Sequence, residues 1–232
     1  MAAPFLSIIL PVLNEAREIR AQLEALQSLR SKGVSLILVD GGSYDNTPEI
    51  ARPLVDQLIF TARGRGMQMN AGAQISTAEV LLFLHADTRL PPSAFDCIYN
   101  AISSGALWGR FDVRIASSHT LLRIVERMMN WRSRLTGIAT GDQGIFVRKA
   151  LFEQVGGYPE LPLMEDVVLS SHLKRIAPPV SLREYVVTSG RRWEKHGVMR
   201  TILMMWRLRT EFFFGADPHK LAVRYGYEVR EK

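Results

Sequence analysis

The chain has 232 residues, 47% of them hydrophobic and 22% charged, a globular composition for one domain that excludes disorder. The lone Cys97 excludes a disulfide framework and points to a reducing, cytoplasmic setting. A net charge of +6 directs attention to anionic partners: a nucleotide, a nucleic acid or an acidic lipid surface.

The opening stretch MAAPFLSIILPVLNEA lacks a basic region, and its apolar run is too short for a signal peptide. Within it FLSIIL (5–10) reads as a strand. Ala16 to Arg30 follows as a helix with Ile19, Leu23, Leu26 and Leu29 on one face. VSLILV (34–39) is the next strand. Thr47-Pro48 carries the N-cap and first-turn proline of a helix start, and QLIFT (57–61) reads as a third strand. A small-residue helix over Met67 to Ile75 leads to the strand EVLLFL (79–84), and Pro91-Pro92 opens another helix through Ser103. Such alternation predicts βαβ units and a parallel sheet. SSHTLLRIVERMMNWRSRL, within residues 105–140, reads as one amphipathic helix, GIFVRK as a strand, and DVVLSSHLKR as a helix.

In a parallel sheet the segments that follow the strands share one edge, where open α/β sheets bind ligands. Here they are Pro11-Val12-Leu13-Asn14-Glu15, Asp40-Gly41-Gly42-Ser43, Arg63-Gly64-Arg65-Gly66 and His85-Ala86-Asp87. PVLNEA stands where a dinucleotide fold needs G-x-G-x-x-G, and no P-loop motif is present, so neither phosphate-binding device applies. Alternation along a strand would send His85 and Asp87 to one side.

The ordered set SIILPVLNEA, LVDGGSYDNT, RGRGMQMNAGA, FLHADT and GDQGIFVRKALFEQVGGYPELPLMEDVVLS resembles family 2 glycosyltransferases of the GT-A fold. More narrowly it is similar to a small bacterial subgroup whose metal motif reads HAD in place of DxD. The resemblance spans about residues 5–195. It implies an α/β, Rossmann-like, mostly parallel sheet flanked by helices, and an inverting transfer of sugar from a nucleoside-diphosphate sugar. Pro11, Asn14, Glu15, Asp40, Gly42 and Arg65 would then bind the nucleotide-sugar, and Asp87 with His85 a Mn²⁺ or Mg²⁺ ion bridging the phosphates, with His196 as a further ligand. Asp142, Arg192 and Trp193 would face the acceptor. Asp166 would be the catalytic base, with Glu165 supporting it or capping the helix. Asn70, Ala71 and Gly72 match the family's small-residue helix, for close packing or for ligand contact.

The transferase domain is expected over 1–196 and an amphipathic helical extension over 197–232. GVMRTILMMWRLRTEFFF (197–214) is apolar but broken by Arg200, Arg207, Arg209 and Glu211. That pattern suits a helix lying on an anionic membrane surface near a lipid-linked acceptor, or one packed on its own core or a second copy. The alternative to catalysis is a nucleotide-binding scaffold on the same fold. No nucleic-acid module is recognisable.

Overall fold

The structure, a computed structural model, describes residues 3–227. Eight strands form one sheet: β1 (Leu6–Val12), β2 (Ser35–Asp40), β3 (Gln57–Phe60), β4 (Val80–Phe83), β5 (Thr88–Arg89), β6 (Trp108–Ala116), β7 (Ile145–Arg148) and β8 (Val180–Ser189), in the order β3-β2-β1-β4-β7-β6-β8-β5. Strands β1 to β4 pair in parallel, as the alternation predicts. The remainder is mixed: β7 runs antiparallel between β4 and β6, while β6 and β8 pair in parallel. The sheet is mostly parallel, as expected, with β7 and the short β5 the antiparallel strands. Strands β5, β6 and β8 were not anticipated, because WGRFDVRIA and VSLREYVVTS carry charges that interrupt any apolar run.

Helices cover both faces. Strand alternation sends Ile8, Leu10, Leu36, Leu38 and Leu82 to one side, where α1 (Ile19–Arg30) and α4 (Ala94–Ser103) pack. Ile9, Ile37, Val39, Leu81 and Phe83 go to the other, under α3 (Arg65–Ile75), α6 (Lys149–Gln154) and α7 (Glu165–Ile176). Both faces being covered is why these strands read as unbroken apolar runs. Helix α1 buries the four expected residues but begins at Ile19; residues 15–18 form a turn instead. The short helix α2 (Thr47–Ala51) has Asn46, not Thr47, at its N-cap, and Thr47 is fully buried.

Helix α5 (Thr120–Thr136) turns its polar side inward. Asn130 Oδ1 accepts the Val113 N–H at 2.9 Å and its Nδ2 donates to Val113 O at 3.0 Å, while Glu126 accepts the Ile115 N–H. Arg134 donates to Asp112 at 2.6 Å, and Asp112 also pairs with the fully buried Arg110. The chain closes with α8 (Arg191–His196), α9 (Val198–Phe213) and α10 (Pro218–Tyr225). In these, Val198 packs with Ile115, Leu122 and Val125, and Leu208, Leu221 and Ala222 pack with Leu163 and Met164. Of the expected extension, residues 228–232 lie outside the described residues.

Candidate active site

The carboxyl ends of β1 to β4 hold a knot of loops. Asn14 takes a left-handed backbone, φ +56, which asparagine tolerates better than most side chains. Its N–H donates to Ser43 Oγ at 2.8 Å, and its Oδ1 accepts the Tyr44 N–H at 3.0 Å. The Glu15 N–H donates to Thr47 Oγ1 at 2.8 Å, which is what the buried threonine is for. Asp40 Oδ1 accepts from Gly42 and Ser43 at 2.8 and 2.7 Å, folding the turn in which Gly42 needs φ +89. The second oxygen, Oδ2, is buried and has no partner. Pro11, next to last in β1, stands opposite Val39. Pro11, Asn14, Glu15, Asp40 and Gly42 are thereby brought to one edge of the sheet.

Beside this knot lies a cavity of about 590 Å³. His85 and Asp87 reach it from the loop after β4, Asp142 from the turn Gly141–Gln143, Glu165 and Asp166 from α7, and Arg192 and Trp193 from α8. Burial raises the Glu15 carboxyl above its ordinary value; Arg191, 4.0 Å away, opposes the rise and Asp87 adds to it. His85 and Asp87 share the cavity for a different reason from strand alternation. Strand β4 stops at Phe83, and a turn closed by the Thr88 N–H to His85 O at 3.0 Å presents both residues.

Asp166 is fixed by two backbone donors: Gly141 N–H to Oδ2 and its neighbour Val167 N–H to Oδ1, each at 2.7 Å. Glu165, only 3% exposed, meets Arg65 at 3.5 Å, and Arg65 also donates to the Tyr227 hydroxyl at 2.7 Å. Burial lifts the Glu165 carboxyl above its ordinary value, while Arg65 pulls it back. The residue before them, Met164, sits at φ +68, a costly conformation for a large side chain that begins α7 abruptly. Burial likewise raises Asp142, whose Oδ1 accepts from Thr140 Oγ1. Desolvation, then Arg65, push the His85 imidazole well below its ordinary value; its Nε2 is buried without a partner. A Cβ at Gly141 would collide with that ring, so only glycine lets the loop pass so close.

Arg192 donates to Tyr225 O at 2.6 Å and lies 3.5 Å over the Tyr225 ring. Arg65, expected to bind the nucleotide-sugar, is engaged by Glu165 and Tyr227 while still lining the cavity. His196 is exposed at the end of α8 and does not line it. Among the described residues no group of three or more His, Cys, Asp or Glu side chains is placed to hold a metal ion alone. Asn70 Nδ2 donates to Tyr158 O at 2.8 Å and Oδ1 accepts the Tyr158 N–H at 2.9 Å, while Gly72 faces Ile9 and Val39, so this helix is small for packing. Sequence reasoning missed Thr140, Gly141, Arg132, Arg209, Tyr225 and Tyr227. Gly141 stood beside the noted Asp142 and Arg209 among the charges breaking the run 197–214, but nothing in the sequence pattern placed Arg132 or Arg209 in the cavity.

The glycosyl transferase family 2 profile matches residues 7–155. A "PGL/p-HBAD biosynthesis glycosyltransferase" of Mycobacterium tuberculosis is 32% identical over 173 residues, covering 68% of this chain. The chain spans 64% of that relative's length. Two solved structures share the fold. TarS of S. aureus (residues 1–349) in complex with UDP-GlcNAc superposes with TM-score 0.67 at 17% identity, covering 79% of this chain and 58% of that one. The mannosyltransferase PcManGT of Pyrobaculum calidifontis, in complex with GDP-Man and Mn²⁺, gives 0.61 at 22% identity, covering 90% and 61%. The mixed sheet flanked by helices is accordingly the GT-A arrangement expected.

Proposed function

We propose that this chain, which belongs to glycosyl transferase family 2, moves a sugar from a nucleoside-diphosphate sugar to an acceptor hydroxyl with inversion at the anomeric carbon. The observation that carries this reading is the meeting of the Asp87 corner, at the end of β4, with Asp166, at the start of α7, in one cavity. Neighbours of the same fold bind UDP-GlcNAc and GDP-Man, which supports the donor class.

The loop knot of Asn14, Glu15, Asp40 and Gly42 takes the nucleotide, with Asp40 Oδ2 the acceptor still without a partner. Asp87 and His85 fit a divalent cation: one carboxylate and one imidazole that burial keeps neutral, the ligating form. Two protein donors suffice where substrate phosphates and water complete the shell, as is usual for Mg²⁺, and an imidazole suits Mn²⁺. When bound, such an ion offsets the charge developing on the departing diphosphate.

In the transfer, the acceptor oxygen bonds to the anomeric carbon as Asp166 takes its proton, and the bond to the diphosphate breaks on the opposite side. One base and one displacement give inversion. Glu165 is a positioning residue, since consecutive side chains on a helix point about 100° apart. Asp142, Arg192 and Trp193 line the acceptor side. No helix among the described residues is long and apolar enough to cross a membrane. Peripheral contact of α9 with an anionic lipid surface belongs to the same reading, supported by exposed Met199, Leu203, Trp206 and Phe213 on a basic helix.

Thermal-shift screening of UDP- and GDP-sugars with Mn²⁺ or Mg²⁺, followed by product analysis with the stabilising donor, tests the proposal. Inverted product supports it. Donor binding with neither transfer nor hydrolysis would make the chain a nucleotide-binding scaffold.

A further inference from the structure

A helix on a water-facing surface ordinarily hides its apolar stripe. In α5 the stripe faces out: Leu121, Ile124, Met128, Trp131 and Leu135 recur at three- and four-residue steps and are exposed, Trp131 by 66%. The buried side is mixed, with Glu126, Asn130 and Ser133 beside Leu122 and Val125. Helix α9 shows a second exposed stripe, in which Trp206 is 56% exposed. The two stripes are not separate patches. Met128, Trp131 and Trp206 also line the cavity that holds Asp166, so its wall is continuous with both.

Charge is concentrated on the same elements. Residues 120–136 hold four arginines against one glutamate, and residues 191–225 hold eight Lys and Arg against three Asp and Glu, whereas the whole chain is only +6. The remainder of the protein is therefore acidic on balance. Two of these arginines turn inward. Arg132 from α5 and Arg209 from α9 both line the cavity, and Arg132 Nε and Nη2 and Arg209 Nε are buried with no hydrogen-bond partner. Among the described residues neither forms an ion pair, although Asp142 and Asp166 line the same space and Arg132 feels both. Guanidinium donors withdrawn from water and left unpaired call for an anion. Apolar walls leading to that pair call for a ligand with a hydrocarbon part.

We propose that the acceptor is an anionic amphiphile whose hydrocarbon part lies between α5 and α9 and whose phosphate or carboxylate is bound by Arg132 and Arg209, leaving its hydroxyl at Asp166. The proposal rests on the transfer reading above and names the substrate class of that site. It also gives the outward stripe of α5 a role, since such a molecule is drawn from a lipid surface that the two stripes would touch.

Binding to the full chain is followed by tryptophan fluorescence with four probes: dodecyl phosphate, dodecanoate, dodecyl maltoside and inorganic phosphate, the amphiphiles kept below micelle formation. Either acidic probe should bind at least tenfold more tightly than both the maltoside and free phosphate, and the tighter of the two identifies the acid. Arg132→Gln and Arg209→Gln, on different helices, should each erase the preference over maltoside while leaving UDP or GDP binding with Mn²⁺ intact. Equal binding of acidic and neutral probes, or free phosphate binding as tightly as dodecyl phosphate, would overturn the proposal. So would loss of nucleoside-diphosphate binding in both variants, which would assign the arginines to the donor. Turnover is not read in this experiment, so failure of the transfer reading appears in a different assay.

Discussion

The backbone N–H of Gly141 donates to Asp166 Oδ2 at 2.7 Å, across 25 positions of sequence. Glycine is needed there because His85 packs where a Cβ would go. One residue thus sets the distance between the end of the β4 loop and the start of α7, the two places from which the proposed chemistry comes.

Asp166→Asn keeps an oxygen for the Gly141 N–H but removes the proposed proton acceptor. Turnover should fall by about 10²- to 10⁴-fold, the usual worth of a positioned base, with donor affinity unchanged. Steady-state rates beside calorimetric donor binding check this; a variant of full activity would refute the assignment of the base.

Asp87→Ala removes the one carboxylate of the proposed two-donor metal corner. The Mn²⁺-dependent part of nucleoside-diphosphate affinity should drop by at least about tenfold, the scale seen even for weaker perturbations of metal sites, while metal-free binding persists. Titrations with and without Mn²⁺ separate the two, and an undiminished Mn²⁺ effect would place the ion elsewhere.

Glu165 offers a test in pH. Burial holds its carboxyl above the ordinary 4.5, so the native protein keeps a proton that the unfolded chain has lost. Stability from this group is present below about 4.5 and is lost as pH rises through the native value. Glu165→Gln cannot titrate. Relative to the parent it should therefore gain stability between pH 5 and pH 8, read by urea denaturation at both. A difference between the two proteins that is constant with pH would contradict the shift.

Gly72→Ala sets two effects against each other. Alanine favours a helix interior over glycine by about 0.8–1 kcal/mol. Its Cβ, however, would stand 2.5 Å from Ile9 Cγ2 and 3.1 Å from Val39 Cγ2, and overpacking of a core costs about 1–3 kcal/mol. Net destabilisation is expected in chemical denaturation; a stabilised variant would show that β1 and β2 yield easily.

What was legible in the sequence was legible for physical reasons. Strands β1, β2 and β4 are buried on both faces, so Ile8, Ile9, Leu36 and Leu82 announce themselves. The loops that follow them must then share an edge, and Asn14, Asp40 and Asp87 are found there. Strand β6 was hidden because Arg110 and Asp112 neutralise each other inside the fold, a pairing invisible until α5 brings Arg134 and Asn130 to it. Arg132 and Arg209 lay in helices whose apolar periodicity suggested ordinary packing, and only the direction each helix faces separates a core stripe from a cavity wall. His196 illustrates the converse: a residue of suitable chemistry near the right motif, carried by α8 to open solvent.

The last contacts of the site come from the end of the described chain. Tyr227 holds Arg65, and the Tyr225 carbonyl and ring hold Arg192, at sequence separations of 162 and 33. A ribosome delivers these residues late, after β1 to β4 and α7 have had seconds to form at about 5–20 residues per second. Before residues 225–227 are made, Arg65 keeps Glu165 as a partner but lacks the Tyr227 hydroxyl, and Arg192 lacks the Tyr225 carbonyl and ring. Arg65 gains its Tyr227 partner and Arg192 its Tyr225 partner only once residues 225–227 exist, so the order of synthesis makes this wall of the cavity the last to be fixed.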